Sequence, residues 1–200
     1  MKNECPKHDC SVPGQDISVS LLKRFRSGDD SALEEIVALY HDGLLYFING
    51  YVHNITVAED VLSDTFLKLI TSIGKFRQDA SLKTYLYKIA ANRSIDELRR
   101  IERHGTVDLD NIEETPGDEE TLEHSLISDE RSRILHSAME KLRCDYKRVL
   151  FLLYFEGMDV QCAARVLRKS KKQTENLVFR AKRSLKTILE RDGYDYENFR

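Results

Sequence analysis

The chain has 200 residues, a formal net charge of −3, 32% charged residues and 41% hydrophobic residues. Its mean hydropathy is −0.47, and no apolar run approaches the roughly 18 residues of a membrane span, which argues against a membrane-embedded protein. Only 9 Gly and 3 Pro argue against a turn-rich β-sandwich, and 4 scattered Cys argue against a disulfide scaffold. Because the first residues contain no apolar signal segment, we expect a cytoplasmic protein.

Apolar residues spaced three and four apart predict four helices in the N-terminal half. Residues 1–16 contain no such period and are predicted to form a disordered tail. The first helix is expected to begin at Ile17 and end at Gly28, and the second to begin at Asp29 to Ser31 and to carry apolar residues as far as Val52. The third is expected over residues 57–72, and the fourth from about residue 81 to about residue 103. Nothing in this half alternates with period two for long enough to form a strand, so residues 17–103 are predicted to be an all-α bundle.

The charge of the second half is strongly segregated. Ten carboxylates and no Lys or Arg lie between His104 and Glu130, and this composition predicts a flexible acidic linker over residues 104–128. From Asp159 to Arg191 the chain has ten basic residues against three acidic ones. Since local charge decides what a surface attracts, the negative net charge does not exclude a nucleic-acid binder.

Helical periodicity resumes at residue 129 and predicts a second helical domain over residues 129–191, followed by a C-terminal tail over 192–200. Within it a short apolar helix, a polar turn at Arg168 to Ser170 and a long basic helix from Lys171 describe a helix-turn-helix. Only a protruding helix reaches base edges in the major groove. The alternative to a DNA-binding helix is an ordinary amphipathic helix whose charged face is only solvated. The residues of the second helix predicted to face outward and bind DNA are Lys171, Lys172, Gln173, Glu175, Asn176, Phe179, Arg180 and Arg183.

Three stretches together resemble bacterial RNA polymerase sigma factors of the small, extracytoplasmic-function group. Ala58 to Leu69, AEDVLSDTFLKL, is similar to the family's polymerase-docking helix. Phe76 to Arg100, which contains FRQDASLKTYLYKIAAN, resembles its segment for melting DNA and reading the minus-ten element. Arg148 to Leu189 resembles its domain for reading the minus-thirty-five element. The resemblance implies sigma region 2 over residues 17–103 and sigma region 4 over 129–191.

The resemblance implies that one face of the third helix docks on the polymerase. Asp60, Asp64 and Lys68 repeat every fourth residue and therefore share a face. We expect this face, with Thr65, to bind the clamp of the core enzyme. The alternative is an ordinary solvated surface with acidic residues near the positive end of the helix dipole.

Melting a duplex requires that unpaired bases be captured, which calls for aromatic surfaces and for cations at the backbone. The resemblance assigns this role to the junction of the third and fourth helices. Tyr85 stands where many family members have Trp, and Tyr87 is a further candidate. We expect Asp96 to hold an Arg rather than to meet DNA. The residues expected to bind or melt the minus-ten element are Phe76, Arg77, Tyr85, Lys88, Asn92, Arg99 and Arg100.

Two residues of the helix-turn-helix depart from the family pattern. Arg168 occupies a turn position where Gly is common, so a positive φ is expected at a non-Gly residue. Thr174 occupies a core position where an aliphatic residue is usual.

The function implied is a promoter-specificity subunit without catalysis of its own. Its expected partners are bacterial core RNA polymerase, promoter DNA and an anti-sigma factor, with no small-molecule substrate and no cofactor. The alternative is a free-standing helix-turn-helix regulator whose N-terminal domain senses a ligand or dimerises. An enzyme is disfavoured, because the sequence has no phosphate-binding loop, metalloprotease motif or nucleophile elbow.

Two segments leave their roles open. Cys5, His8 and Cys10 could supply three metal ligands, but a fourth is not evident and the spacing matches no common zinc site, so no metal is predicted. The acidic linker could thread through the basic channels of the polymerase, could be a solubilising spacer, or could fold onto the basic C-terminal domain of the free protein.

Overall fold

The structure, a computed structural model, describes residues 15–75, 81–104 and 130–196. In these ranges it is all-helical, without a strand, which confirms the predicted fold class. The helices are α1 Gln15–Arg26, α2 Ser31–Val52, α3 Ile55–Ser72, α4 Leu82–His104, α5 Glu130–Glu140, α6 Cys144–Leu150, α7 Val160–Leu167 and α8 Lys171–Arg191. A short 3₁₀ turn, Ile73–Lys75, follows α3, and a π-helical turn, Phe151–Phe155, follows α6.

Helices α1–α4 form an N-terminal module around a core that α2 dominates. Ile36, Leu44 and Ile48 on α2 are fully buried at steps of eight and four residues, and so lie on one face of the helix; Leu69 on α3 is fully buried as well. Helix α3 begins two residues before the predicted start, because the side chain of Asn54 accepts a hydrogen bond from the backbone N–H of Val57 (3.1 Å) and caps the helix there.

Helices α5–α8 form a C-terminal module with its own apolar cluster. Met139, Val149 and Leu189 are buried in it. Part of the predicted C-terminal tail packs on this module: the Asp192 carboxylate accepts a hydrogen bond from Lys141 Nζ (2.7 Å), and Tyr196 contacts the cluster. The packed chain therefore extends past residue 191.

The two modules also share one continuous hydrophobic core. Phe151 and Leu152 of the π-helical turn and Val166 of α7 are buried against side chains of the N-terminal module. The ring of Phe151 lies 4.7 Å from that of Tyr46 on α2, centroid to centroid. Helix α7 packs along α4, and α6 packs against α2. The sequence predicted two domains on a tether, and the packing between them is a finding of the structure.

Several predicted features lie outside the described residues. These are most of the N-terminal tail with Cys5, His8 and Cys10, the linker over 105–128, and Phe76 with Arg77. Of the helices that are described, none combines the length and apolarity of a bilayer span.

Candidate polymerase and DNA interface

The helix-turn-helix of α7 and α8 is fixed by caps at both helix starts. Asp159 Oδ1 accepts a hydrogen bond from the backbone N–H of Cys162 (2.6 Å) at the start of α7. At the start of α8, Ser170 Oγ accepts from Gln173 N (3.1 Å), while Gln173 Oε1 accepts from Ser170 N (2.8 Å). This reciprocal capping box sets the direction in which α8 leaves the turn.

Helix α8 buries one face and exposes the opposite, basic one. Thr174, Ala181, Leu185 and Leu189 are buried, so Thr174 lies in the core as predicted. Thr174 Oγ1 donates to the carbonyl oxygen of Ser170 (3.0 Å), which satisfies its hydroxyl in the buried position. All eight residues predicted to bind DNA are exposed, Phe179 at 69%: Lys171, Lys172, Gln173, Glu175, Asn176, Phe179, Arg180 and Arg183.

Three of these exposed residues have intramolecular partners. The capping box occupies the side-chain oxygen of Gln173, so that only its amide N–H groups remain for a base or a phosphate. Lys171 Nζ lies 4.0 Å from Glu175 Oε1, an exposed pair one helical turn apart that costs little to separate. Most of the basic face of α8 is therefore available to DNA.

Arg168, at the C-terminus of α7, adopts the left-handed conformation with φ 54°, as predicted. The left-handed conformation at a non-Gly residue lowers the stability of the folded protein by about 1–2 kcal/mol.

We expect Arg168→Gly to raise the free energy of unfolding by about 0.5–1 kcal/mol. The substitution relieves the backbone strain, but Gly also makes the unfolded chain more flexible, and this offsets part of the gain. Urea denaturation followed by circular dichroism measures this change. Lys169→Gly, at a neighbouring residue without a positive φ, is the control and should lower stability; equal effects of the two substitutions would contradict the strain argument.

The outward face of α3 carries charged and apolar residues side by side. Asp60, Asp64 and Lys68 are exposed on it, as the four-residue spacing predicted. Thr65 is fully buried and donates through Oγ1 to the carbonyl oxygen of Val61 (2.8 Å), so it is not part of the exposed face.

Sequence reasoning missed the apolar part of the α3 face. Leu67 lies seven residues after Asp60, near the middle of the face, and is 58% exposed. Ile70 is also exposed, at 38%. Exposed apolar residues framed by charges are typical of protein-binding surfaces. We call Asp60, Asp64, Leu67, Lys68 and Ile70 the α3 face.

Helix α4 places the described minus-ten candidates at different depths. Lys88 is exposed, whereas Tyr85 is half-buried and its hydroxyl lies 2.8 Å from Ser72 Oγ. Asn92 is half-buried, and its Oδ1 is buried without a hydrogen-bond partner. A buried acceptor without a partner costs free energy unless a ligand supplies a donor, which makes Asn92 a candidate for contact with a base.

Further along α4, two exposed Arg side chains are held by carboxylates on the same helix. Arg99 Nη1 lies 3.4 Å from Asp96 Oδ1, which confirms the predicted role of Asp96 in holding an Arg. Arg100 donates to both oxygens of Glu97, at 2.8 and 2.6 Å, and this pair raises the pKa of Arg100. Exposed pairs of this kind are weak in water, so a DNA phosphate can compete for either Arg.

Where the modules meet, an ion pair links α4 to the end of the π-helical turn. Lys83 Nζ lies 3.1 Å from Glu156 Oε2 and also donates to the main-chain oxygen of Glu156 (3.0 Å). Tyr87, a candidate for stacking on bases, is instead fully buried in this junction; burial, followed by the nearby charge of Glu156, raises the pKa of its hydroxyl well above the usual value. Tyr87 is therefore a core residue. We call Lys83, Tyr87 and Glu156 the junction cluster.

Comparison with known protein families separates the chain into the same two modules. Residues 36–104 match the family described as Sigma-70 region 2. Residues 132–185 match the family described as Sigma-70, region 4. The first match contains α3 and α4, and the second contains the helix-turn-helix.

Among curated proteins, the chain is 28% identical to the RNA polymerase sigma-H factor of Pseudomonas aeruginosa, over 88% of this chain and 95% of that protein. It is 26% identical to the ECF RNA polymerase sigma factor SigW of Bacillus subtilis, over 70% and 79% of the two chains. Among solved structures, CnrH in complex with the cytosolic domain of CnrY is similar in fold, with a TM-score of 0.59 at 24% identity over 88% of this chain and 98% of that one. The sigma factor RpoE of Bartonella quintana, solved with the anti-sigma factor NepR, matches with a TM-score of 0.58 at 20% identity over 78% and 96%.

Proposed function

The chain belongs to the sigma-70 family of RNA polymerase sigma factors, in the extracytoplasmic-function group, and on that premise we propose which of its surfaces bind polymerase and which bind promoter DNA. The observation that carries the proposal is the pair of exposed surfaces on separate modules. One is the mixed α3 face, and the other is the basic face of a capped α8.

The α3 face is proposed to dock on the core polymerase. The face exposes two carboxylates and one Lys, and Leu67 lies among them as an exposed apolar residue. Carboxylates that pair with cations of the partner inside an interface give affinity as well as orientation, and a buried apolar anchor adds to that affinity. Thr65 is buried in the core and is not part of the proposed contact.

The outer side of α4 is proposed to bind the minus-ten element. Lys88, Arg99 and Arg100 offer cations for the backbone, and the unpartnered oxygen of Asn92 offers an acceptor for a base. Tyr85 is half-buried at the start of this surface, and its ring is the candidate for stacking on a base. We retain Phe76 and Arg77, which precede α4 in the chain, as members of the same proposed site.

Helix α8 is proposed to enter the major groove at the minus-thirty-five element. Arg180 and Asn176 have side chains that can exchange paired hydrogen bonds with a base edge, whereas Lys171 and Lys172 at the helix start suit phosphates. The exposed residues from Lys171 to Arg183 span about three and a half turns of α8.

The partners follow from the family. We propose that the chain acts in the cytoplasm with the core polymerase and promoter DNA, as a specificity subunit without catalysis of its own. Two of its structural neighbours were solved as complexes, one with the cytosolic domain of CnrY and the other with the anti-sigma factor NepR. An anti-sigma factor is accordingly proposed as a third partner.

Run-off transcription with purified bacterial core polymerase and a library of promoters tests the function. We expect transcripts from a defined subset of templates only when the chain is added, and their sequences give the promoter consensus. The control is core polymerase alone. A folded chain that neither binds the core enzyme nor yields transcripts, yet binds specific duplex DNA unaided, would instead support a free-standing helix-turn-helix regulator.

A further inference from the structure

Cys144 and His53 form a pair that none of the surfaces proposed above includes. Cys144 begins α6, His53 follows the last residue of α2, and Cys144 Sγ lies 3.4 Å from His53 Nε2, within hydrogen-bond distance for sulfur. Both residues are exposed. Of the cysteines in the part of the chain that the structure describes, Cys144 is free, whereas Cys162 is fully buried. The pair is therefore an accessible thiol in contact with an imidazole.

A second contact fixes the position of the pair. Arg148, one turn after Cys144, lies over the ring of Tyr51, two residues before His53, with its guanidinium carbon 3.8 Å from the ring centroid. Arg148 Nε also donates to the carbonyl oxygen of Cys144 (3.1 Å). Tyr51 is buried, and the side chain of Arg148 is only 14% exposed. His53 itself ends α2 with φ 51°. The thiol and the imidazole are therefore brought together by packed backbone on both sides.

The charges around the pair are positive on balance. Asp145 follows Cys144 in the chain, but Arg148 Nη2 lies 2.8 Å from Asp145 Oδ1, so an ion pair offsets this carboxylate. Arg143 precedes Cys144 and is exposed. On α2, burial raises the pKa of the Tyr51 hydroxyl, so Tyr51 contributes no negative charge. Reactive cysteines are commonly found in exposed, electropositive surroundings of this kind.

A nucleophile and a base within hydrogen-bond reach of each other are the parts of an activated thiol. We propose that Cys144 is a modification site for small disulfides such as glutathione disulfide, with His53 as the acceptor of the thiol proton. His53 Nε2 takes that proton, and Cys144 Sγ attacks one sulfur of the disulfide. A bond forms between Cys144 Sγ and that sulfur while the S–S bond of the reagent breaks. The leaving thiolate takes the proton from the imidazolium, so Cys144 is oxidised to a mixed disulfide and half of the reagent is reduced to a thiol.

Three variants test the pair: His53→Asn, His41→Asn and Cys144→Ser. Asn adopts the left-handed conformation of residue 53 more readily than most residues, but it cannot take up the thiol proton. His41 is an exposed His of the same helix that pairs with Asp42 (2.8 Å), so its replacement is the matched control.

The measurement uses the full chain with Cys5→Ser and Cys10→Ser in every protein, so that an adduct at Cys144 cannot pass to either of these thiols. Each protein is reduced, freed of reductant and incubated with excess glutathione disulfide at about pH 7 and at about pH 9. Peptide mapping by mass spectrometry gives the rate at which the peptide containing Cys144 gains a glutathionyl group. Circular dichroism verifies that each variant retains its helices.

At about pH 7 we expect His53→Asn to slow the modification of Cys144 by about fivefold, because an ordinary thiol is only a few per cent ionised there. At about pH 9 a thiol ionises without a base, so the rates with and without His53 should agree within about twofold. His41→Asn should react like the unsubstituted background at both pH values. Cys144→Ser should lose the adduct from its peptide.

Equal rates with and without His53 at the lower pH would overturn the role of the imidazole. A loss of the same size at both pH values would also overturn it, since His53 would then govern access to the thiol rather than its proton. A chain that gains no glutathionyl group at Cys144 would overturn the site itself. The measurement contains neither polymerase nor DNA, so its outcome is independent of the proposed function.

Discussion

Replacing Asp60 and Asp64 together by Ala is expected to remove most of the affinity for core polymerase. Both carboxylates are exposed on the α3 face, and Ala favours the helix, so the variant should remain folded. Residues at the centre of an interface commonly contribute about 2–4 kcal/mol when truncated, which corresponds to a loss of roughly 30- to 900-fold in affinity. Titration of the core enzyme with the fluorescently labelled chain measures this loss.

The matched control is Glu59→Ala, which removes an exposed carboxylate of the same helix. Glu59 precedes Asp60 by one residue and therefore lies about 100° around the helix from it. It should bind polymerase nearly as well as the unmodified chain. Duplex DNA binding by the C-terminal module should be the same in all three proteins. If the Glu59 variant loses as much affinity as the double variant, general charge rather than the α3 face governs docking.

The second large effect is expected on α8, where substitutions of two basic residues should weaken DNA binding in different ways. Arg180→Ala should cost about 1–3 kcal/mol on the preferred upstream sequence and little on random DNA, because a base contact is lost. Lys171→Ala should weaken binding to every sequence and lower the salt slope by about one, because a phosphate contact is lost. Fluorescence anisotropy on specific and random duplexes measures both.

Lys186→Ala is the control for Arg180→Ala and Lys171→Ala, because Lys186 lies on the C-terminal half of α8 and forms an ion pair with Glu190. We expect it to change neither affinity nor salt slope appreciably. Equal losses on specific and random DNA for Arg180 and Lys171 would show that the two residues do not divide recognition and positioning between them.

Much of the fold could be predicted because it depends on local patterns. Apolar spacing located the helices, and the turn chemistry at Arg168 and Ser170 located the helix-turn-helix and the residue with positive φ. Errors at helix ends have local causes as well: Asn54 caps α3 two residues early through a side-chain hydrogen bond that the apolar pattern does not report.

The site was less predictable, because burial depends on contacts between distant parts of the chain. Thr65 shares a helix with Asp60 and Asp64 but turns toward the core, a difference that helical geometry could have shown. The same geometry would have placed Leu67 on the α3 face. Lys83 and Glu156 are 73 residues apart, and no local rule joins them. Tyr87 was open to two interpretations until its packing was known.

The shared core also has a consequence for how the protein is made. Phe47 and Leu86 of the N-terminal module lie in a cluster that is completed only by residues between Phe151 and Val166. At ribosomal rates of roughly 5–20 residues per second, the 62 residues from the end of α4 to Val166 take about 3–12 seconds to synthesise. During that interval the nascent helices present an uncovered apolar surface, which is a binding site for chaperones and a risk of aggregation until the last third of the chain emerges.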